Sequence, residues 1–350
     1  MGLPKIQFSF KEKAETFKER NDKGIVSIII KDGTLKAGPY ELYKDTEIPA
    51  TMNQGNTAYV KRAFIGGVNA PEKVIVYCVA SAAEDLSDAF SYFRKRKVGY
   101  LAGPLDGEYD AEMIAFCNSE NERGHKVKLV TATKPDKENR NVVYVKDTTI
   151  IGEKEIAASE LCSRIAGLIA GTPVEQAVTY AVLNDIDLPE NKETPTELDE
   201  SIDAGEFRLF RDLDKIRVAS GVNYAPKTSK YHKIKYTDTV DMIEEDITGT
   251  IKNEYIGKVP NSYDNKCILI VYAAEYLTEL EKRAILVKGA SSVSIDIEAQ
   301  KTYLKSINVD TSSMTDEDIK KYEDTGDNVF LLVDAIDQKT MENVHIAMTI

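Results

Sequence analysis

The stretches with enough glycine, carboxylate or thiol to do chemistry are few, and each lacks part of what its chemistry needs. Nucleotide chemistry on an α/β sheet calls for a glycine-rich turn at a strand end, where backbone N–H groups can approach a pyrophosphate. The turn after residues 73–79, VASAAED, carries neither GxGxxG nor a GxxxxGK motif, and the glycines of residues 99–110 (GYLAGPLDGEYD) have the wrong spacing. No GxSxG nucleophile elbow is present. His125 follows a helix-stopping glycine, has no Ser or Cys nucleophile signal nearby, and reads as a surface or C-cap residue. Asp185 with Asp187, and Asp212 with Asp214, could hold a cation, but they lack the glycine turn and terminal Glu of an EF-hand. Cys78, Cys117, Cys162 and Cys267 form no CxxC, and His125, His232 and His345 have no ligand spacing to them. They read as buried, reduced thiols. The expectation is no catalytic residue, no metal, no cofactor and no enzyme activity.

The bulk composition narrows the partners. At 350 residues, with 42% hydrophobic and 29% charged residues, the chain is globular and too long for one ordinary core. A net charge of −13 argues against a nucleic-acid binder and against attraction to anionic lipid. The first residues, MGLPKIQFSF, lack a signal-peptide pattern, and the longest strongly apolar run, 267–274, is far short of the ~20 residues of a membrane helix. The expectation is a soluble chain made in the cytoplasm, with no direct membrane insertion.

Periodicity then places the elements. Residues 25–30 and 40–43 read as strands about an Asp-Gly turn, and 55–65 as a helix stopped by Gly66 and Gly67. Residues 73–145 alternate strand and helix: strands at 73–79, 98–102, 126–132 and 141–145, a helix opened by a capping box at Ser81 and Glu84, and a helix over 110–123. That is the pattern of a parallel sheet with right-handed crossovers. A helix over 155–170 follows. Residues 185–206 hold nine carboxylates and one lysine and read as a solvated loop. Strands at 207–210 and 215–219 precede two long helices, 238–255 and 263–283. A strand at 292–297, helices at 298–307 and 315–324, and a strand at 328–333 complete the body.

Both ends read as strands set apart by polar residues. Ile6, Phe8 and Phe10 line one face of residues 5–10; Val344, Ile346, Met348 and Ile350 line one face of the last strand. Such strands need a sheet to join. They could pair with each other inside one domain, or they could join a neighbouring molecule, with hinges at 11–23 and 337–343.

Four blocks, 55–67, 159–173, 255–270 and 293–306, together resemble the contractile-tail sheath proteins of phages and phage-tail-like particles of Gram-positive bacteria, of the PBSX-like and R-type bacteriocin kind. The likeness covers nearly the whole chain. It implies an α/β multidomain fold: an N-terminal arm and linker (1–23), a small mixed module (24–71), an α/β middle domain (72–230), a C-terminal core domain (231–337) and a C-terminal arm (338–350). It implies a structural subunit that stacks as hexameric rings around an inner tube, links to its neighbours by strand exchange through both arms, and contracts to drive the tube through a target envelope. Its implied partners are copies of itself, the tube protein, and baseplate and tail-terminator proteins. Assembly would occur in the bacterial cytoplasm, followed by release in an extracellular tail particle. Lys301, Lys305, Lys320 and Lys321 are the candidates to face the tube. The competing reading is an enzyme on a doubly wound sheet whose terminal strands pair intramolecularly.

Overall fold

A computed structural model of the chain describes residues 24–104, 109–189, 193–322 and 325–342. The chain forms two compact units: one includes the described residues up to Asp241 together with Glu342, and the other is Met242–Met341.

The first unit is organised on β1 (Ile25–Lys31), whose central residues are buried on both faces. A strand apolar on both sides needs a neighbour at each edge and a layer above and below. β2 (Gly38–Leu42), β3 (Lys73–Val79), β4 (Gly99–Ala102), β5 (Val127–Thr131), β6 (Val142–Val145) and β10 (Glu206–Phe207) complete a seven-stranded sheet in the order β10-β6-β5-β4-β1-β3-β2. All pairings are parallel except β2 on β3. Val26, Ile28 and Ile30 face the layer containing α1 (Gln54–Ile65) and α4 (Ala158–Ala170). Ile29 faces the layer of α2 (Ser87–Phe93) and α3 (Asp110–Glu122).

The helices in the first layer pack very closely. A Cβ on Gly167 of α4 would lie 2.1 Å from the carbonyl oxygen of Ala63 on α1, so only glycine fits there. Gly66, at φ 68°, ends α1. Arg164 of α4 is buried and donates Nε and a terminal nitrogen to the two carboxylate oxygens of Asp185 at 2.8 and 2.9 Å; its other terminal nitrogen donates to the Gly66 carbonyl at 2.7 Å. Two smaller sheets complete the unit: β7 (Thr149–Ile151) with β8 (Lys154–Ile156), and β9 (Val182–Leu183) with β11 (Leu209–Asp212) and β12 (Lys215–Val218).

Several expectations are corrected here. Residues 24–71 do not form a module of their own, because β1 and β2 belong to the same sheet as the middle region. Nor do β1 and β2 form a hairpin; β3 lies between them. The 185–206 stretch is not all loop. It contains α5 (Pro195–Asp203), begun by a reciprocal capping box between Thr194 and Glu197. α2 starts at Ser87, not at Ser81, because the Asp85 carboxylate accepts from the Ser87 N–H at 3.0 Å and fixes the entry. The first long helix begins earlier, as α6 (Ile234–Thr250), and closes in a π-helical turn, Ile251–Tyr255.

In the second unit α7 (Tyr263–Lys282) buries Leu269, Ala273, Leu277 and Leu280, a helical stripe. β13 (Ser292–Ile295), α8 (Ile297–Ser306), α9 (Asp316–Lys321) and β14 (Leu331–Asp334) follow. β13 and β14 pair antiparallel as a two-stranded sheet. β14 is not the core strand its composition suggests: its residues alternate between half-buried and exposed, and Leu332 is 44% exposed. Among the described residues, no helix is long and apolar enough to cross a membrane.

Candidate functional site

The strand order reverses at β1, with β4 on one side and β3 on the other, so its C-terminal end is where a doubly wound sheet would hold a ligand. That position is filled from within. The Asp32 carboxylate accepts the backbone N–H groups of Thr34, Leu35 and Asn53 at 2.8, 3.2 and 3.0 Å, the Thr34 hydroxyl at 2.6 Å and the Asn56 amide at 3.0 Å. Burial works against its charge, but these donors outweigh burial and hold its carboxyl well below the usual carboxylate range. The N–H groups that would bind a phosphate are thus already satisfied by an internal anion. Lys31 beside it donates to the Ala83 carbonyl at 2.9 Å and to the Tyr109 hydroxyl. Cys78, Cys117 and Cys162 are buried, and burial raises their thiols above the ordinary value.

The features suited to assembly are strand edges and the root of the C-terminal arm. β13 and β14 each pair only with the other among the described residues, so each has a second edge without a described strand. A two-stranded ribbon is marginal alone and gains from added strands. Near the chain's end Gln338 donates its N–H to Ile285 O at 2.9 Å within the second unit. Glu342 belongs to the first unit, where Lys233 Nζ lies 2.7 Å from one carboxylate oxygen and the Thr179 hydroxyl donates to the other at 3.0 Å. Lys233 also donates to Ser220 Oγ at 2.6 Å. Between these two contacts, Met341 is 93% exposed. This anchor gave no sequence signal, since Glu342 sits in an ordinary polar stretch and its partners lie more than a hundred residues away.

Ile6, Phe8, Phe10, Val344, Ile346, Met348 and Ile350 lie outside the described residues. Of the four lysines, Lys301 bridges Glu298 on its own helix and Asp316 on α9, at 3.2 and 3.1 Å, and Lys320 pairs with Glu317 at 3.1 Å. Lys305 and Lys321 are exposed.

A second feature that sequence reasoning missed is a buried charge cluster. Lys128 on β5 contacts the carboxylate of Asp238 on α6, and its Nζ lies 3.1 Å from Asp241. The Tyr100 hydroxyl of β4 bonds both oxygens of Asp238 at 2.8 Å, and Arg140 and Lys126 lie 3.5 and 3.8 Å from Asp241. The cluster fastens the start of α6 to the middle of the sheet. Burial opposes the charge on Lys128, yet the two carboxylates more than offset it and keep its ammonium pKa above the ordinary lysine value.

Known structures share this fold. The protein aligns with the contracted helical sheath of the anti-feeding prophage over 93% of this chain and 93% of that one, with a TM-score of 0.71 and 14% identity. The sheath tail protein of Listeria innocua aligns over 95% of this chain and 99% of its own, with a TM-score of 0.68 and 12% identity. The fold is therefore that of a contractile tail sheath subunit. Sequence carries the assignment to a family: the tail sheath protein of Clostridium phage phiCD119 is 34% identical over 360 residues, covering 99% of this chain and 98% of that protein. The phage tail sheath central-domain model matches residues 80–224 and the phage tail sheath C-terminal-domain model residues 226–344. The chain belongs to the phage tail sheath family.

Proposed function

We propose that the protein polymerises as stacked hexameric rings around an inner tube, and that neighbours are linked by strands formed by residues 5–10 and 344–350. Contraction of this mesh drives the tube through a target envelope, and the subunit hydrolyses nothing. The observation that carries the reading is the β13–β14 ribbon, whose outer edges have no partner strand among the described residues and so suit added strands, in a chain tied down at Glu342. The filled switch point weighs against the competing enzyme, because Asp32 already consumes the donors a phosphate would need. The other expected partners are baseplate and terminator proteins. The particle is assembled in the bacterial cytoplasm and then released.

Electron microscopy of the purified full-length chain tests this. Helical tubes or striated cylinders are expected; discrete small oligomers at every concentration would overturn it.

Lys301, Lys305, Lys320 and Lys321 are proposed to face the tube, with Lys305 and Lys321 the most available. Reversing Lys320 and Lys321 to glutamate is expected to lower the yield of sheath co-assembled with tube protein. An unchanged yield would remove this surface from the tube contact.

A further inference from the structure

The two ends of the seven-stranded sheet carry opposite charge. Residues 94–97, Arg-Lys-Arg-Lys, put four consecutive exposed cations on a chain of net charge −13. They follow α2 and lie beside β2, the terminal strand at one edge: Arg96 sits 3.6 Å from Glu41 of β2 and over the Tyr92 ring at 4.1 Å. Arg94 is held 3.4 Å from Glu120. These contacts fix the turn, yet both arginine side chains remain 44% exposed.

At the other edge α5 packs against β10. Residues 193–203 contain five carboxylates and no cation. Buried Arg208 pins this segment, donating to Glu193 at 2.5 Å, to Ser201 at 2.8 Å and to Asp147 at 3.0 Å. Asp199 and Glu200 are exposed on a helix with no fully buried residue, while Glu197 is engaged in the capping box.

Six strand spacings separate β10 from β2, about 29 Å at roughly 4.8 Å each. That is more than three screening lengths of about 8 Å at physiological salt, so the two patches of one molecule cannot satisfy each other. Each is complementary to the other and not to itself. A two-fold dimer across either edge would set like against like, whereas a head-to-tail contact between the two edges would join opposites and generate a ring or a helix.

We propose that residues 94–97 of one subunit dock on α5 of a second copy, as a heterologous contact between the two edges of the sheet. The proposal rests on the polymer reading above and names a surface for it separate from the arms. The contact steers subunits into one orientation and penalises the reversed one.

The test uses full-length variants that spare Arg94, Arg96, Glu197 and the Arg208 contacts. Lys95→Glu/Lys97→Glu and Asp199→Lys/Glu200→Lys should each fold, with wild-type circular dichroism. Each alone should lose about tenfold or more of its sheath yield, because residues 94–97 lose their net positive charge in the first and residues 193–203 lose most of their negative charge in the second. An equimolar mixture should recover, since native patches then meet at alternate contacts and introduced carboxylates meet introduced ammonium groups at the others, and so should the variant carrying all four substitutions. Single variants that assemble at wild-type yield would overturn the proposal, as would failure of both the mixture and the quadruple variant to recover. If the wild-type chain forms no polymer at all, it is the sheath reading that fails.

Discussion

Removal of residues 343–350 is expected to abolish polymerisation while leaving the unfolding midpoint of the subunit unchanged. Burying Val344, Ile346, Met348 and Ile350 contributes about 6–12 kcal/mol at most. Ordering about seven residues of backbone costs about 7–14 kcal/mol, and each ladder hydrogen bond returns ~0.5–1.5 kcal/mol. The terms close near zero, so a lone subunit gains nothing from the arm. Under the proposed strand exchange, a neighbour that already holds a strand edge in place would tip the balance, and a lattice would repeat the small gain at every contact. The deletion keeps Glu342, so the Lys233–Glu342 pair, a partly exposed contact of side chains 39% and 24% open, stays intact. Sedimentation should show a single folded species, and micrographs should show no sheaths. Sheaths of normal length would sink the strand-exchange reading. A lowered midpoint would also count against it, since the segment would then pack within its own subunit.

How much of this was legible depended on whether a feature was local. β3 has the bounds that its β-rich run implies, and α3 and α7 follow their apolar stripes closely, because periodicity reports which face is buried. The capping box at Thr315 and Asp318 likewise works as the spacing suggests. Strand order was not local. The Asp32–Gly33 pair looks like a hairpin turn, but Asp32 is used to gather N–H groups from residues 34, 35 and 53, and β3 enters between the two strands. Nothing in residues 24–43 encodes the arrival of residues 73–79. The acidic stretch shows the opposite failure: its composition suggested a loop, although Thr194, Pro195 and Glu197 spell a helix start. Of the features proposed for assembly, the apolar alternation of residues 5–10 and 344–350 is visible in sequence. The Glu342 anchor and the charged sheet edges depend on pairings and positions that only the fold supplies.

The buried cluster around Lys128 gives the largest expected loss of stability from a single substitution. Lys128→Met keeps the volume of the stem but removes the ammonium, leaving Asp241, whose side chain is 5% exposed, to rely on Arg140 and Lys126 at 3.5 and 3.8 Å. Breaking a buried pair from one side costs about 3–5 kcal/mol, because the desolvated charge that remains is poorly compensated. The remaining cations place the expectation near the lower end, about 3 kcal/mol. Adding Asp241→Leu should recover much of the loss, since replacing a whole buried pair by apolar groups is often close to neutral. Denaturant unfolding of the four members of the cycle measures this, and a Lys128→Met loss under ~1 kcal/mol, the scale of an exposed pair, would show the cluster to be merely surface-like. The pH dependence has a definite sign. An unfolded lysine titrates near ~10.4, and the folded Lys128 lies above that value. Its stabilisation is complete below the unfolded value and is lost as pH rises through the folded one. Tyr100, which burial raises well above its ordinary range, adds loss of the same sign in both wild type and variant. The gap between wild type and Lys128→Met should therefore narrow in strong alkali. A gap that stays unchanged through strong alkali would remove Lys128 as the centre of the cluster.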